Sequence, residues 1–137
     1  MNLNRSKRMR NRRPRTKDER LAEDLARMTL WDRASQPHGY PLCEVCGDKT
    51  AEEYQHRKAK VHCTKEELWA PSNGLMVCGH GNVSGCHGHI HQNPTEAYEA
   101  GWSVKSHRNP AKVAVLRRGE RVLLDDEGGF RAAEEAA

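Results

Sequence analysis

The chain has 137 residues, of which 36% are hydrophobic and one is Phe. That length suits a single domain with tails, and so thin an apolar supply requires stabilisation beyond a hydrophobic core. No apolar run opens the sequence between Met1 and Lys17, and no stretch approaches a membrane span. The expectation is a cytoplasmic protein without membrane contact, whose five cysteines stay reduced and whose clustered ones serve as metal ligands rather than disulfides.

Net charge is +4, unevenly placed. Residues 1–17 carry eight Lys/Arg and no acid, and the remainder carries 15 basic against 19 acidic residues. This reads as a basic arm that stays disordered alone, attached to a mildly acidic body. Arg8, Arg10, Arg12 and Arg13 of the arm are candidate contacts to a polyanion such as DNA.

In chain order, Asp18 to Arg33 reads as a helix, with Leu21, Leu25, Met28 and Trp31 near one face. Pro37, Gly39 and Pro41 break the chain and mark a boundary, giving an N-terminal helical unit over 18–36 and a compact unit over 40–108. Ala51 to Arg57 reads as a strand ending at His56, and Lys58 to Ser72 as a polar loop. Leu75-Met76-Val77 is a short apolar strand. A helix starts near Gly85 and ends near Asn93. Asn93-Pro94 opens another that Gly101 stops. Trp102 to Lys105 reads as a strand. Over 109–137, Val113–Leu116 and Val122–Leu124 flank Arg117-Arg118-Gly119-Glu120 as a hairpin, followed by a frayed acidic tail. Trp69, Leu75, Val77, Ile90 and Trp102 read as core.

Cys43-Glu44-Val45-Cys46 is a C-x-x-C closed by Gly47. Zinc takes four tetrahedral thiolate or imidazole ligands, so a second pair is required. Cys78 and Cys86 supply it across a glycine-rich detour, with His80 as an alternative fourth ligand, and Cys63 stands as a free thiol. Four thiolates would hold Zn2+ in a closed, structural site that contributes roughly 10–16 kcal/mol of apparent binding free energy.

Three pieces remain: Gln55-His56-Arg57-Lys58, Ser72-Asn73-Gly74-Leu75, and Cys86-His87-Gly88-His89-Ile90-His91. On a helix His87 and His91 share a face and can grip a second ion, while His89 points elsewhere. His56, Asn73 and His87, in that order between two Cys pairs, resemble the motif of the HNH endonucleases, in particular small phage-encoded ones with a four-cysteine zinc knuckle. The resemblance spans about residues 41–108 through Gln-His-Arg-Lys, Trp-Ala-Pro-Ser-Asn-Gly-Leu, Val-Cys-Gly and Gly-Cys-His-Gly, and more weakly the run 122–129.

The resemblance implies a small ββα-metal domain with a structural zinc knuckle; with the helix before it and the short hairpin after it, both read from their own residues, the expected fold class is α+β. It implies hydrolysis of DNA phosphodiester bonds with one divalent ion (Mg2+, Mn2+, Ni2+ or Zn2+). His56 would be the general base, and His87 and His91 the ligands of that ion. Asn73 would orient the base, and Arg57 and Lys58 would meet phosphate. Gln55 stands where the family commonly has Asp or His, and offers a neutral carbonyl oxygen as a weaker ligand. Phage relatives act near packaging or as mobile elements, so the implied partners are DNA and phage packaging or replication machinery inside a bacterial host. The alternative is a non-catalytic zinc-ribbon module that binds DNA.

Overall fold

The computed structural model describes residues 14–133, an α+β arrangement with two small antiparallel sheets. Arg8, Arg10, Arg12 and Arg13 lie outside the described residues.

Helix α1 (Lys17–Ser35) begins at Thr16, whose hydroxyl accepts from the Glu19 amide while the Glu19 carboxylate accepts from the Thr16 amide. Asp18 and Glu19 complement its N-terminal dipole. The helix is where the sequence places it, but its buried face is a different one. Ala26, Leu30, Arg33 and Ala34 are buried, whereas Leu21, Leu25, Met28 and Trp31 are each more than half exposed. The expected apolar stripe faces outward because the sheet packs against a stripe of small residues and one leucine. This seam contains Tyr54, Met76 and Ala51, with Trp69 at its edge.

Strands β1 (Glu53–His56) and β2 (Gly74–Val77) pair antiparallel, with Glu53 opposite Val77 and His56 opposite Gly74. Alternation along β1 sends Tyr54 and His56 to one face and Glu53 and Gln55 to the other. Gly74 has no substitute here, because a Cβ would meet the Tyr54 hydroxyl and a Leu30 methyl.

The segment between these strands is more ordered than a loop. Thr64 caps a one-turn helix, α2 (Lys65–Leu68), through the same reciprocal Thr–Glu pattern with Glu67. The T-x-x-E at 64–67 was the available signal for it. Helices α3 (Gly85–Gln92) and α4 (Pro94–Glu99) follow as expected. Asn93, however, directs its amide back to the His89 carbonyl at the end of α3 instead of capping α4. The expected strand over 102–105 is reduced to a single parallel bridge between Val104 and Lys58.

The C-terminal sheet has three strands: β3 (Val115–Arg117), β4 (Glu120–Leu124) and β5 (Phe130–Ala132). The β5 strand corrects the expectation of a frayed tail after Asp125. The Asp125 carboxylate accepts from the Glu127 and Gly129 amides, and that turn returns the chain to pair with β4. The hairpin is not an appendage. Val115, Val122 and Leu124 share one core with Cys43, Leu75, Val77, Cys78, Ile90 and Trp102.

A buried charge cluster joins these parts. Glu44, fully buried inside the C-x-x-C, accepts from Arg33 at 2.9 and 3.1 Å, from Arg117 at 3.1 Å and from the Met76 amide at 3.2 Å. One carboxylate thereby links α1, the cysteine turn, β2 and the hairpin. Removing one partner strands the others without solvent. Glu44→Ala is expected to cost about 3–5 kcal/mol of unfolding free energy in urea titrations. Glu23, near the surface, pairs with both Arg15 and Arg27, and Glu23→Ala should cost no more than about 1 kcal/mol.

Candidate functional site

The four cysteines of the two pairs converge. The Sγ atoms of Cys43, Cys46, Cys78 and Cys86 lie within 4.8 Å of one another, and those of Cys46 and Cys78 are 3.9 Å apart. A tetrahedral ion with metal–sulfur bonds of about 2.3 Å sets its sulfurs roughly 3.8 Å apart, so the donor set fits a metal ion such as zinc. Amides point at two of the sulfurs, Asp48 N–H at Cys46 and Cys86 N–H at Cys78.

The electrostatics match this fit. Burial opposes ionisation of Cys46, but the amides of Asp48 and Lys49 outweigh it and bring the thiol to about 7. Burial raises Cys43, and burial followed by the nearby charge of Cys43 raises Cys86. Bringing these thiolates together takes a cation.

The long spacing between Cys78 and Cys86 closes on two glycines with positive φ, Gly79 at 93° and Gly85 at 63°. A Cβ on Gly79 would overlap the Ser84 carbonyl, and one on Gly85 would meet the Gly79 backbone. His80 stands apart from the sulfurs, 3.0 Å from Glu52. Cys63 lies elsewhere, accepting a hydrogen bond from the Asn73 amide.

Beside the sulfur cluster, α3 presents two imidazoles. The rings of His87 and His91 are 4.9 Å apart, and burial followed by the neighbouring His87 lowers His91, keeping that ring neutral at pH 7. His89 points away, to Glu96 at 2.7 Å.

A cleft of about 510 Å³ lies next to them. Gln55, His56, His62, Ile90, His91, Tyr98, Ser103, Lys105 and His107 contribute to its wall, which among the described residues contains no Asp or Glu. His56 contributes to this wall, but its ring packs on the α1 side between Tyr54 and Trp69, at 4.8 Å from each. Its Nε2 is buried without a partner. Burial, and secondarily the charge of Lys60, lowers its pKa to about 4.

Two expectations are corrected. Arg57 does not reach outward to phosphate. It is buried, and its guanidinium donates to the carbonyls of Gly101, Ser72, Pro110 and Val113 at 2.7–2.9 Å. Lys58 is also buried, its ammonium held by the Glu67 carboxylate and the Arg108 carbonyl. Both bind together the backbone around the site. Asn73 does the same at closer range: its Oδ1 accepts from the Lys58 amide at 2.8 Å, and its amide donates to the Glu67 carbonyl. It therefore fixes the chain just after His56. Sequence reasoning missed Glu53, whose Oε1 is 2.9 Å from Nδ1 of His87.

Among the described residues no helix is long and apolar enough to cross a membrane. Compared with known protein families, curated proteins and solved structures, the chain matches none.

Purified protein is expected to carry one zinc per chain by elemental analysis. Cys43→Ser should abolish both the metal and cooperative unfolding, and a folded sample without metal contradicts the sulfur-site assignment.

His56 gives a second expectation. Its folded pKa lies below the ordinary value of about 6.5, so the unfolded chain takes up the proton first. This ring therefore favours folding least at low pH, its effect on stability declining as pH falls from about 6.5 toward 4. NMR titration of the wild-type ring should place its midpoint well below 6. A midpoint near 6.5 rules out the burial described.

Proposed function

We propose that this chain is an HNH-type endonuclease that hydrolyses DNA phosphodiester bonds, with a structural zinc ion among the four cysteines and one further divalent ion at the imidazoles. The observation that carries the reading is the cleft. Gln55, His56 and His91 border one cavity without any carboxylate, next to the paired rings of His87 and His91. Such a wall admits an anion without repulsion. The antiparallel β1–β2 pair followed by α3 supports a ββα-metal unit.

The roles follow from the side chains. The His56 ring, with its pKa lowered to about 4, is neutral at pH 7 and would take the proton from water as it attacks phosphorus. Asn73 holds the turn behind it. His87, His91 and the Gln55 carbonyl oxygen would hold the ion, which when bound supplies charge to stabilise the scissile phosphate and the leaving 3′ oxygen. With Arg57 and Lys58 committed inside, phosphate contact falls to Lys105, His62 and His107 on the cleft wall. The basic arm would add sequence-independent affinity for DNA. Origin in a phage, and work beside packaging or replication machinery, extend the same proposal.

One observation favours the second reading, a zinc-ribbon module that binds DNA without cutting it. His56 projects to the face of β1 opposite Gln55 and is enclosed by two aromatic rings. Incubation with supercoiled plasmid and Mg2+, Mn2+ or Ni2+ separates the two. The nuclease relaxes the plasmid and His56→Ala does not, while binding without cutting in every metal leaves the module. Lys105→Ala is expected to weaken DNA binding and lower the log–log salt slope by about 0.9, the value for one phosphate contact.

A further inference from the structure

Among the described residues Glu53 is the one acidic side chain in contact with the imidazole pair, and it projects from β1 on the same face as Gln55. Its Oε1 lies 2.9 Å from Nδ1 of His87 and accepts the Gly81 amide at 2.5 Å. Gly81 belongs to the detour between Cys78 and Cys86, so one carboxylate oxygen touches both the sulfur loop and the imidazole pair. The His87 side chain is only 12% exposed, which leaves its ring little freedom to turn.

A carboxylate accepts and cannot donate, so the nitrogen facing it must carry the proton. In the neutral ring the lone pair is then on Nε2. A histidine that ligates a metal commonly has this arrangement, its second nitrogen donating to a carboxylate that fixes tautomer and orientation.

We propose that Glu53 is a positioning residue for a metal site at His87 and His91, holding His87 as the Nδ1–H tautomer with Nε2 free to bind a divalent cation. This rests on the proposed function, which places an ion at these imidazoles. A plain ion pair between a protonated His87 and Glu53 would use the same distance, but it leaves no donor for a metal. The contact with Gly81 adds a structural consequence: the loop that closes around the four sulfurs also braces the group that aims His87.

The test uses the full-length, zinc-loaded protein titrated with Ni2+ by calorimetry, with zinc content measured before and after. Wild type is expected to take up one Ni2+ beyond its zinc, and His91→Ala to lose it. Glu53→Ala should weaken Ni2+ binding by about 10–100-fold with zinc content unchanged. Glu53→Gln, which keeps an accepting oxygen without the charge, should fall between the two. Nitrogen chemical shifts of His87 in the metal-free imidazole site of wild type at pH 7 read the tautomer directly, whatever the variants do. The Nδ1–H form supports the proposal, and an Nε2–H form or an imidazolium overturns it. Wild-type uptake of Ni2+ with equal affinity in Glu53→Ala overturns the positioning role alone. No uptake by wild type overturns the nuclease reading and this inference with it.

Discussion

A single carboxylate sealed between two guanidinium groups holds the described parts of this molecule in register. Glu44 has no access to water, and its two oxygens serve Arg33 from α1, Arg117 from the hairpin and the Met76 amide from β2. Two positive charges against one negative would be costly in a dry interior. The excess is spread over carbonyls: Arg33 also donates to Pro71 and Gly74, and Arg117 to Arg33. Because Glu44 sits between Cys43 and Cys46, the network and the sulfur cluster occupy one turn of chain. An ion held by the sulfurs would therefore be mechanically joined to helix docking.

Arginine recurs as an internal scaffold. Arg57 meets four carbonyls from three separate stretches of chain, and Arg118 donates to the carbonyls of Ala34, Gln36, Leu42 and Cys43. The Arg118 contacts offset an unfavourable backbone, since Arg118 has a φ of 51° in the turn that precedes Gly119. A chain with few large apolar residues uses planar, multi-donor side chains to satisfy irregular backbone that sheets and helices leave unpaired.

The sulfur cluster and the imidazole pair are chemically different surroundings. The sulfur site is shared among buried and half-buried thiols and would be saturated by its four donors. The imidazole pair lies next to an open cleft with no Asp or Glu among the described residues of its wall. Cys86 and His87 are adjacent on α3, so an ion held by the sulfurs would anchor the helix that carries both imidazoles.

What the sequence determined by itself was local. The helix from Lys17, the strands ending at His56 and Val77, the helices from Gly85 and Pro94, and the hairpin at Arg118-Gly119 all have caps, turns or periodicity readable over a few residues. The pairing of Cys43 and Cys46 with Cys78 and Cys86 was legible because metal chemistry limits the donor types. Tertiary structure decided which way side chains face and which charges are buried. Nothing local distinguishes the stripe of Leu21, Leu25 and Met28 from the one with Ala26 and Leu30, because the choice depends on the small space left by Tyr54 and Met76. Likewise Arg57 and Lys58 read as phosphate contacts until distant carbonyls at 101, 108, 110 and 113 close around them. Glu53 acquires meaning only when pairing across to Val77 brings it to His87. Charge is written in the sequence, but its solvent exposure is a property of the assembled chain.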